Sequence, residues 1–186
     1  MTTHRLVFSG SGGQGLISAA IILGEAAVMY EGLEAVQSQS YGAAARGGAT
    51  RSDVIISPKR INIPKVFQAG VLICLTQEAY NQYNSLIRPG GLLITDSRYV
   101  KIARKVDARQ VELNLYEEVL RVIGTPVVFN ISVLGALIGM YPVVKKESVL
   151  QVLAGKFPAS FMEENTKALE FGFAMGSERY TPGILE

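Results

Sequence analysis

A glycine-rich stretch near the amino terminus constrains the fold more than any other feature of this sequence. Residues 10–15 read Gly-Ser-Gly-Gly-Gln-Gly, and they lie between a short apolar run at 5–9 and a longer one at 16–30. A glycine turn between a strand and a helix lets the backbone approach a phosphate, because unpaired N–H groups point outward at the helix N-terminus. The stretch therefore predicts strand, loop and helix, in that order, at the start of an α/β fold.

Strand-like and helix-like patterns alternate along the chain, which predicts a single Rossmann-like α/β domain, residues 1–186, with a mostly parallel sheet. The predicted strands are 5–9, 34–40, 50–57, 70–76 and 92–96, with one or two edge strands between 104 and 115. The predicted helices are 16–30, 77–87, 116–124, 130–140, 146–155 and 160–175, so the C-terminal third is helical. Two minor predictions are a short antiparallel strand at 60–64 and a capping box formed by Ser160 and Glu163.

Composition excludes several classes of protein. Hydrophobic residues make up 48% of the chain and charged residues 18%, which is typical of a compact fold and not of a disordered chain. The net charge is only +2 and no basic stripe runs along the sequence, so nothing indicates a nucleic-acid partner. The one cysteine, Cys74, rules out an internal disulfide and any site built from several thiolates, and it favours a cytoplasmic location.

An uncharged run from Val122 to Val144 has the length that a membrane crossing requires, about 20 apolar residues. Pro126 and Pro142 lie near its two ends, and polar side chains interrupt it. We therefore predict a buried strand at 126–129 that leads into a buried helix, and no association with a membrane.

The residues after the glycine loop leave three interpretations of that loop open. A dinucleotide site normally has an acid at the end of the second strand, where it holds the ribose hydroxyls. Here that strand ends in QSQSYG, and its acid, Glu34, stands at the start of the strand. The loop therefore serves a dinucleotide, another phosphate-bearing ligand, or close packing against a partner.

A second glycine-rich cluster, from Tyr41 to Gly48, follows the second strand and is expected at the same edge of the sheet as the first loop. It contains Arg46 directly before Gly47. A planar guanidinium beside unshielded N–H groups suits an anion, although a structural arginine or an ion pair between subunits fits the pattern equally well. Arg51, just beyond the cluster, is interpreted as solvated.

Few other residues are candidates for a catalytic or metal-binding site. His4, the only histidine, is expected at the surface, and the sequence shows no Ser/His/Asp set, no Cys/His pair and no metal-binding cluster. We therefore predict no catalytic and no metal-binding residue. Asp96 follows a predicted central strand, so it is either a site residue or the cap of the next loop.

Together these residues resemble the gamma subunit of the 2-oxoacid:ferredoxin oxidoreductases, which corresponds to one domain of the single-chain pyruvate:ferredoxin enzymes. The similarity extends from about residue 5 to about residue 175, and its main motifs are GSGGQG with AAIILGEAA, VQSQSYGAAARGGATRSDVIIS, and LTQEAYNQY. GGLLITDS and NISVLGAL add weaker support. The segment Ser40-Tyr41-Gly42 replaces a His-Gly-Met-type segment of the indolepyruvate enzymes, which favours the 2-oxoglutarate, 2-oxoisovalerate or pyruvate type. Ala43-Ala44 stands where the family often has Pro-Glu, so any contact of that glutamate is absent here.

The resemblance implies a subunit of a complex that oxidatively decarboxylates a 2-oxoacid, with 2-oxoglutarate expected, to an acyl-CoA and passes the electrons to ferredoxin. Thiamine diphosphate and 4Fe–4S clusters are then expected on partner subunits, and this chain is expected to lie near coenzyme A. The candidate residues for a surface that faces CoA or the catalytic subunits are Gly12, Gly13, Gln14, Gly15, Tyr41, Arg46, Gly47 and Gly48. The alternatives are a binding protein of the same fold and a free dinucleotide-dependent oxidoreductase.

Overall fold

A computed structural model of the chain describes residues 2–40, 49–102 and 106–179. In these ranges six strands form one sheet: β1 (His4–Gly10), β2 (Glu34–Ser40), β3 (Thr50–Ser57), β4 (Ala69–Cys74), β5 (Ile87–Asp96) and β6 (Ala108–Leu113). The helices are α1 (Leu16–Tyr30), α2 (Gln77–Tyr83), α3 (Leu115–Val122), α4 (Phe129–Met140), α5 (Lys146–Lys156) and α6 (Ala159–Ser177). A short 3-10 turn, Asn84–Leu86, follows α2.

The sheet has the order β2-β3-β1-β4-β5-β6 and is mostly parallel, as the sequence predicts. β1, β4, β5 and β6 pair in parallel, whereas β3 is antiparallel to both of its neighbours, so that β2 runs in the same direction as β1. Five strands therefore end at the same side of the sheet, which we call the carboxyl edge. The glycine loop leaves β1 at this edge, and β2 ends beside it, because Ser40 pairs with Arg51 and Arg51 pairs with Ser9.

Two apolar cores cover the faces of the sheet. The larger core contains α1, α3, α4, α5 and α6 on one face, and the smaller core contains α2 and neighbouring loops on the other. All six residues of β4 are buried, as expected for a central parallel strand that is covered on both sides. The bounds of α1, β2 and β3 match the sequence prediction at both ends.

Helices α4 and α6 lie side by side with their backbones in contact. A Cβ atom on Gly172 would lie 2.0 Å from the carbonyl oxygen of Ser132, and one on Gly135 would lie 2.2 Å from that of Leu169. No side chain fits at such positions, so glycine is required for the close approach. In the described part of the chain, no helix combines the length and the apolar character that a membrane crossing needs.

Several local predictions are wrong. Residues 60–64 form no strand and belong to the irregular connection between β3 and β4. Residues 126–128 form no strand but a turn into α4, and the N–H of Phe129, the first residue of that helix, donates to the Pro126 carbonyl at 3.1 Å. The capping box is absent because α6 begins at Ala159, which places Ser160 inside the helix.

The helix predicted at 77–87 is shorter than expected. It ends at Tyr83, and the chain enters β5 at Ile87, so the Pro89-Gly90-Gly91 segment lies in the strand and does not end the helix. The pairing of β4 with β5 shifts its register between Ala69 and Val71, opposite this segment. One edge strand, β6, occupies the weakly patterned stretch between 104 and 115.

Candidate functional site

The glycine loop at the carboxyl edge forms a tight turn into α1. Gly13 has a φ of 89°, and Gly15, the residue that precedes the helix, has a φ of 69°. Both values lie in the left-handed region that favours glycine. No side chain caps the first turn of α1 and no acid lies in it, so the positive end of this helix faces the edge without a compensating charge from its own first turn.

Gln14 fixes this loop to the sheet. Its Oε1 atom accepts a hydrogen bond from the Ser11 N–H at 2.9 Å, and its Nε2 atom donates to the Leu75 carbonyl, just after β4, at 3.0 Å. The amide therefore uses its acceptor and one of its donors within the chain. Gln14 acts as a positioning residue, whereas a Cβ atom on Gly12 or Gly13 would have open space around it.

Asn130 joins the loop to the start of α4. Its Nδ2 atom donates to the Gly15 carbonyl at 3.2 Å, and a Cβ atom on Gly15 would lie only 2.7 Å from this nitrogen. The first turns of α1 and α4 are thus held together at the carboxyl edge.

An open cleft of about 440 Å³ lies between the loop and three aromatic rings. The loop side consists of Gly13, Gln14 and Gly15, and the opposite side includes Tyr99, Tyr116, Val127 and Phe129. The Tyr99 and Tyr116 rings pack edge to face at 5.3 Å between centroids, and Tyr116 and Phe129 do so at 5.2 Å. These aromatic walls and the glycine backbone make a site that fits a ligand with both a flat apolar group and a polar group.

The charge beside this cleft comes from Arg98. Its guanidinium carbon lies 4.6 Å from the centre of the Tyr116 ring, and the side chain pairs with Glu117 at the surface. Burial, reinforced by a hydrogen bond with Tyr116, raises the pKa of Tyr99 to about 12, so its hydroxyl is neutral at physiological pH.

Asp96 proves to be a cap and not a ligand-facing acid. It is 1% exposed, and its two carboxylate oxygens accept hydrogen bonds from the N–H groups of Arg98 at 3.0 Å and Tyr116 at 2.9 Å. Burial raises the pKa of Asp96, and these backbone hydrogen bonds oppose that effect. The carboxylate therefore fixes the two segments that carry the cleft's tyrosines.

The second half of the predicted surface lies outside the described residues. This holds for Tyr41, Arg46, Gly47 and Gly48. The described residues on either side, Ser40 at the end of β2 and Ala49 before β3, place both ends of the cluster at the carboxyl edge. The structure thus places Gly12, Gly13, Gln14 and Gly15 together at this edge and leaves the contribution of the other four residues as a prediction.

Arg51 is not solvated, contrary to the sequence prediction. Its Nε and Nη2 atoms donate to the two carboxylate oxygens of Asp53 at 2.6 and 2.9 Å, and Nη2 also donates to the Val66 carbonyl at 2.5 Å. A second hydrogen bond runs from the Val66 N–H to Asp53 at 2.9 Å. Arg51 and Asp53 therefore hold the connection between β3 and β4 against the sheet.

His4 lies at the opposite edge of the sheet and is half-buried, so the surface position predicted for it is only partly right. It is the first residue of β1, about 20 Å of extended strand away from Gly10. Its Nδ1 atom lies 2.8 Å from the Tyr141 hydroxyl, and burial together with the charge of Arg88 lowers its pKa. His4 is therefore remote from the candidate site.

Comparison with known proteins identifies the family. Residues 5–175 match the family described as pyruvate ferredoxin/flavodoxin oxidoreductase. The chain belongs to this family. It is 40% identical over 172 residues to the 2-oxoglutarate synthase subunit KorC of Methanocaldococcus jannaschii, a match that covers 91% of this chain and 92% of that one.

Two solved structures share the fold of this chain. The gamma subunit of a keto/oxoacid ferredoxin oxidoreductase from Geobacter sulfurreducens is 37% identical and superposes with a TM-score of 0.88, over 97% of this chain and all of the other. A 2-oxoglutarate:ferredoxin oxidoreductase from Magnetococcus marinus, determined with 2-oxoglutarate, coenzyme A and succinyl-CoA bound, superposes at 0.86 but is 20% identical. The match covers 98% of this chain and 32% of the Magnetococcus chain. The chain is thus a gamma-type subunit of an oxoacid:ferredoxin oxidoreductase.

The sequence analysis missed the aromatic half of the cleft. Tyr99 and Tyr116 lie in or next to the stretch between 97 and 115, where neither helix nor strand periodicity is clear. Phe129 was assigned to a buried strand that does not exist. Asp96 was the one signal in the sequence that could have indicated this half. Its carboxylate binds the backbone at Arg98 and at Tyr116, and so it brings Tyr99 and Tyr116 to one place.

Proposed function

We propose that this gamma-type subunit serves an oxidoreductase specific for 2-oxoglutarate, which forms succinyl-CoA and carbon dioxide and passes two electrons to ferredoxin. The observation that carries the substrate is the 40% identity to a 2-oxoglutarate synthase subunit over almost the full length of both chains. Thiamine diphosphate and 4Fe–4S clusters, which this proposal assigns to partner subunits, supply the carbon–carbon cleavage and the electron transfer when bound. The same proposal includes two further points: residues 1–186 form one domain, and the protein is located in the cytoplasm.

Within the complex, the carboxyl edge is proposed to face coenzyme A or the catalytic subunits. The uncapped first turn of α1 presents N–H groups that suit a phosphate, and the rings of Tyr116 and Phe129 suit an adenine or pantetheine group. Arg46 adds a cation at this edge in the same proposal. The chain's own part is to bind and orient, because the described cleft contains no nucleophile next to a base.

The substrate assignment is tested on the purified complex. We expect kcat/KM for CoA-dependent reduction of a ferredoxin acceptor to be at least about tenfold higher with 2-oxoglutarate than with pyruvate or 2-oxoisovalerate, because each tenfold preference takes only about 1.4 kcal/mol. Equal or greater activity with one of the other two acids contradicts the assignment to 2-oxoglutarate.

The role of the carboxyl edge is tested by Arg46→Ala, with Arg5→Ala as a matched control, since Arg5 is exposed near the start of β1, at the opposite edge of the sheet. We expect Arg46→Ala to raise the apparent KM for CoA or to weaken assembly by about tenfold, the cost of one charge-assisted contact. Both properties should be unchanged in Arg5→Ala. Wild-type values of both for Arg46→Ala would refute this role.

A further inference from the structure

The connection between β3 and β4 carries an unusual combination of charge and exposed apolar surface. Residues 58–68, which we call the basic loop, read PKRINIPKVFQ and contain three cations and no acid. Ile63 is 62% exposed and Phe67 is 67% exposed, and Lys65 lies 5.7 Å from the centre of the Phe67 ring. Large apolar side chains that stand out among charges are typical of a contact surface.

The basic loop is held in a fixed place although it has no regular secondary structure. Val66 is buried, and its N–H and carbonyl groups are bound by Asp53 and Arg51, which are themselves paired. A further hydrogen bond runs from the Ser38 hydroxyl on β2 to the Pro64 carbonyl at 2.8 Å. Pro58 and Pro64 restrict the backbone further. A loop that is anchored in this way loses little conformational entropy when a partner binds it.

The loop's cations have no counter-charge within the described part of the chain. Lys59, Arg60 and Lys65 form none of the ion pairs found there, whereas six other cations each pair with an acid. Glu34 stands at the start of β2, opposite Ser57, and forms no ion pair with the loop. An excess of about three positive charges beside exposed apolar groups calls for an acidic surface with apolar pockets.

We propose that the basic loop docks onto an acidic face of a companion subunit in the assembled oxidoreductase. The proposal rests on the chain being part of a multisubunit complex. The contact surface extends along the outer edge of β2, because Ser38 ties the loop to this edge strand and no strand among the described residues pairs with its outer side. It shares no residue with the lining of the cleft at the glycine loop, so the two surfaces can be tested with different substitutions.

A second copy of this chain fits the surface poorly. A two-fold contact centred on the loop would place two identical segments of charge +3 against each other, and like charges at close range are unfavourable. Three cations are also few for a nucleic acid, since proteins that bind duplexes make about 6–10 phosphate contacts. The charge pattern therefore favours an acidic protein surface.

The test compares variants in the binding of this chain to the rest of the complex. The variant Lys59→Gln/Arg60→Gln/Lys65→Gln should bind about tenfold more weakly at about 50 mM salt, and the difference should shrink at about 500 mM salt, where charges are screened. The control Arg5→Gln/Lys101→Gln/Lys145→Gln removes three exposed cations outside the loop and should have little effect. Phe67→Ser should weaken binding at both salt concentrations, unlike Phe161→Ser, which changes an exposed phenylalanine on α6.

A zero-length carbodiimide cross-link identifies the partner in the same sample. Cross-links from Lys59 or Lys65 to carboxylates of another subunit support the proposal. Cross-links to a second copy of this chain or to ferredoxin, no cross-links, or equal binding of loop and control variants at low salt overturn it. Activity with 2-oxoglutarate is measured in parallel. If the complex is active and binds the loop variants as tightly as the wild type, only the docking surface is refuted. If no complex forms, both proposals are refuted.

Discussion

Among single residues, Gln14 has the most consequence for the candidate site, because one amide holds both the glycine loop and the end of β4. We expect Gln14→Ala to lower the free energy of unfolding by about 1–3 kcal/mol, since it leaves the Ser11 N–H and the Leu75 carbonyl without their partner. Gln14→Glu keeps the acceptor for the Ser11 N–H but sets a carboxylate oxygen against the Leu75 carbonyl, so it should also destabilise the protein. Denaturant unfolding measures both.

The control for this prediction is Gln82→Ala, which removes an exposed amide from α2 and should change stability by less than about 0.5 kcal/mol. If Gln14→Ala and Gln82→Ala are equally stable, the loop is not held by this side chain.

The buried thiol of Cys74 should make the free energy of unfolding depend on pH in the alkaline range. The thiol is fully buried beside Ser9, and burial raises its pKa to about 12. Because the folded pKa lies above the unfolded one, the stabilising contribution is complete below about pH 9 and is lost as the pH rises from about 9 to about 12, where the unfolded state ionises first. The free energy of unfolding should therefore fall less steeply over this range in Cys74→Ala than in the wild type. Parallel curves for the two proteins would contradict this account.

Single residues also show what sequence alone can and cannot provide. The φ-positive glycines of the loop were predictable, because only glycine fits such a turn. The pairing of Arg51 was not predictable in full, since the Val66 carbonyl that it binds is 15 residues away. The cap formed by Asp96 was one of two predicted alternatives, but its second partner, the Tyr116 N–H, is 20 residues away and was not predictable.

At the scale of elements, the contact between α4 and α6 is the most sensitive packing feature. We expect Gly172→Ala to destabilise the protein by about 3 kcal/mol or more, because the new methyl group would overlap the Ser132 carbonyl and force the helices apart. The measurement is again denaturant unfolding.

Gly155→Ala in α5 is the matched control. A Cβ atom on Gly155 meets nothing within 4 Å, so this change should stabilise the protein by about 0.5–1 kcal/mol through helix propensity. Equal stabilities of the two variants would show that α4 and α6 are not in backbone contact.

Elements with clear boundaries in the sequence were predicted well, and elements without them were not. The bounds of α1, β2 and β3 were predicted at both ends, because apolar runs with glycine or turn residues at their ends define them. The uncharged run 122–144 showed no periodicity that separates a strand from a helix, so the turn at Pro126 was missed. The packing of α4 against α6 was not predictable either, because α6 lies much further along the chain.

For the whole molecule, the parallel sheet and its carboxyl edge could be predicted from the alternation of strands and helices. The surfaces that contact companion chains could not be predicted from this one sequence. The lack of an acid at the end of β2 counted against a dinucleotide site in the sequence analysis, and that interpretation stays a prediction, whereas the aromatic side of the cleft required the fold. The proposed role of this chain is therefore to bind and to position within a larger enzyme.

The most direct test of that role is an omission experiment. The companion subunits are purified without this chain, and CoA-dependent reduction of a ferredoxin acceptor by 2-oxoglutarate is measured before and after the chain is added. We predict little or no CoA-dependent activity from either part alone and full activity after recombination. Full activity of the companion subunits without this chain, or turnover by the isolated chain, would contradict the account.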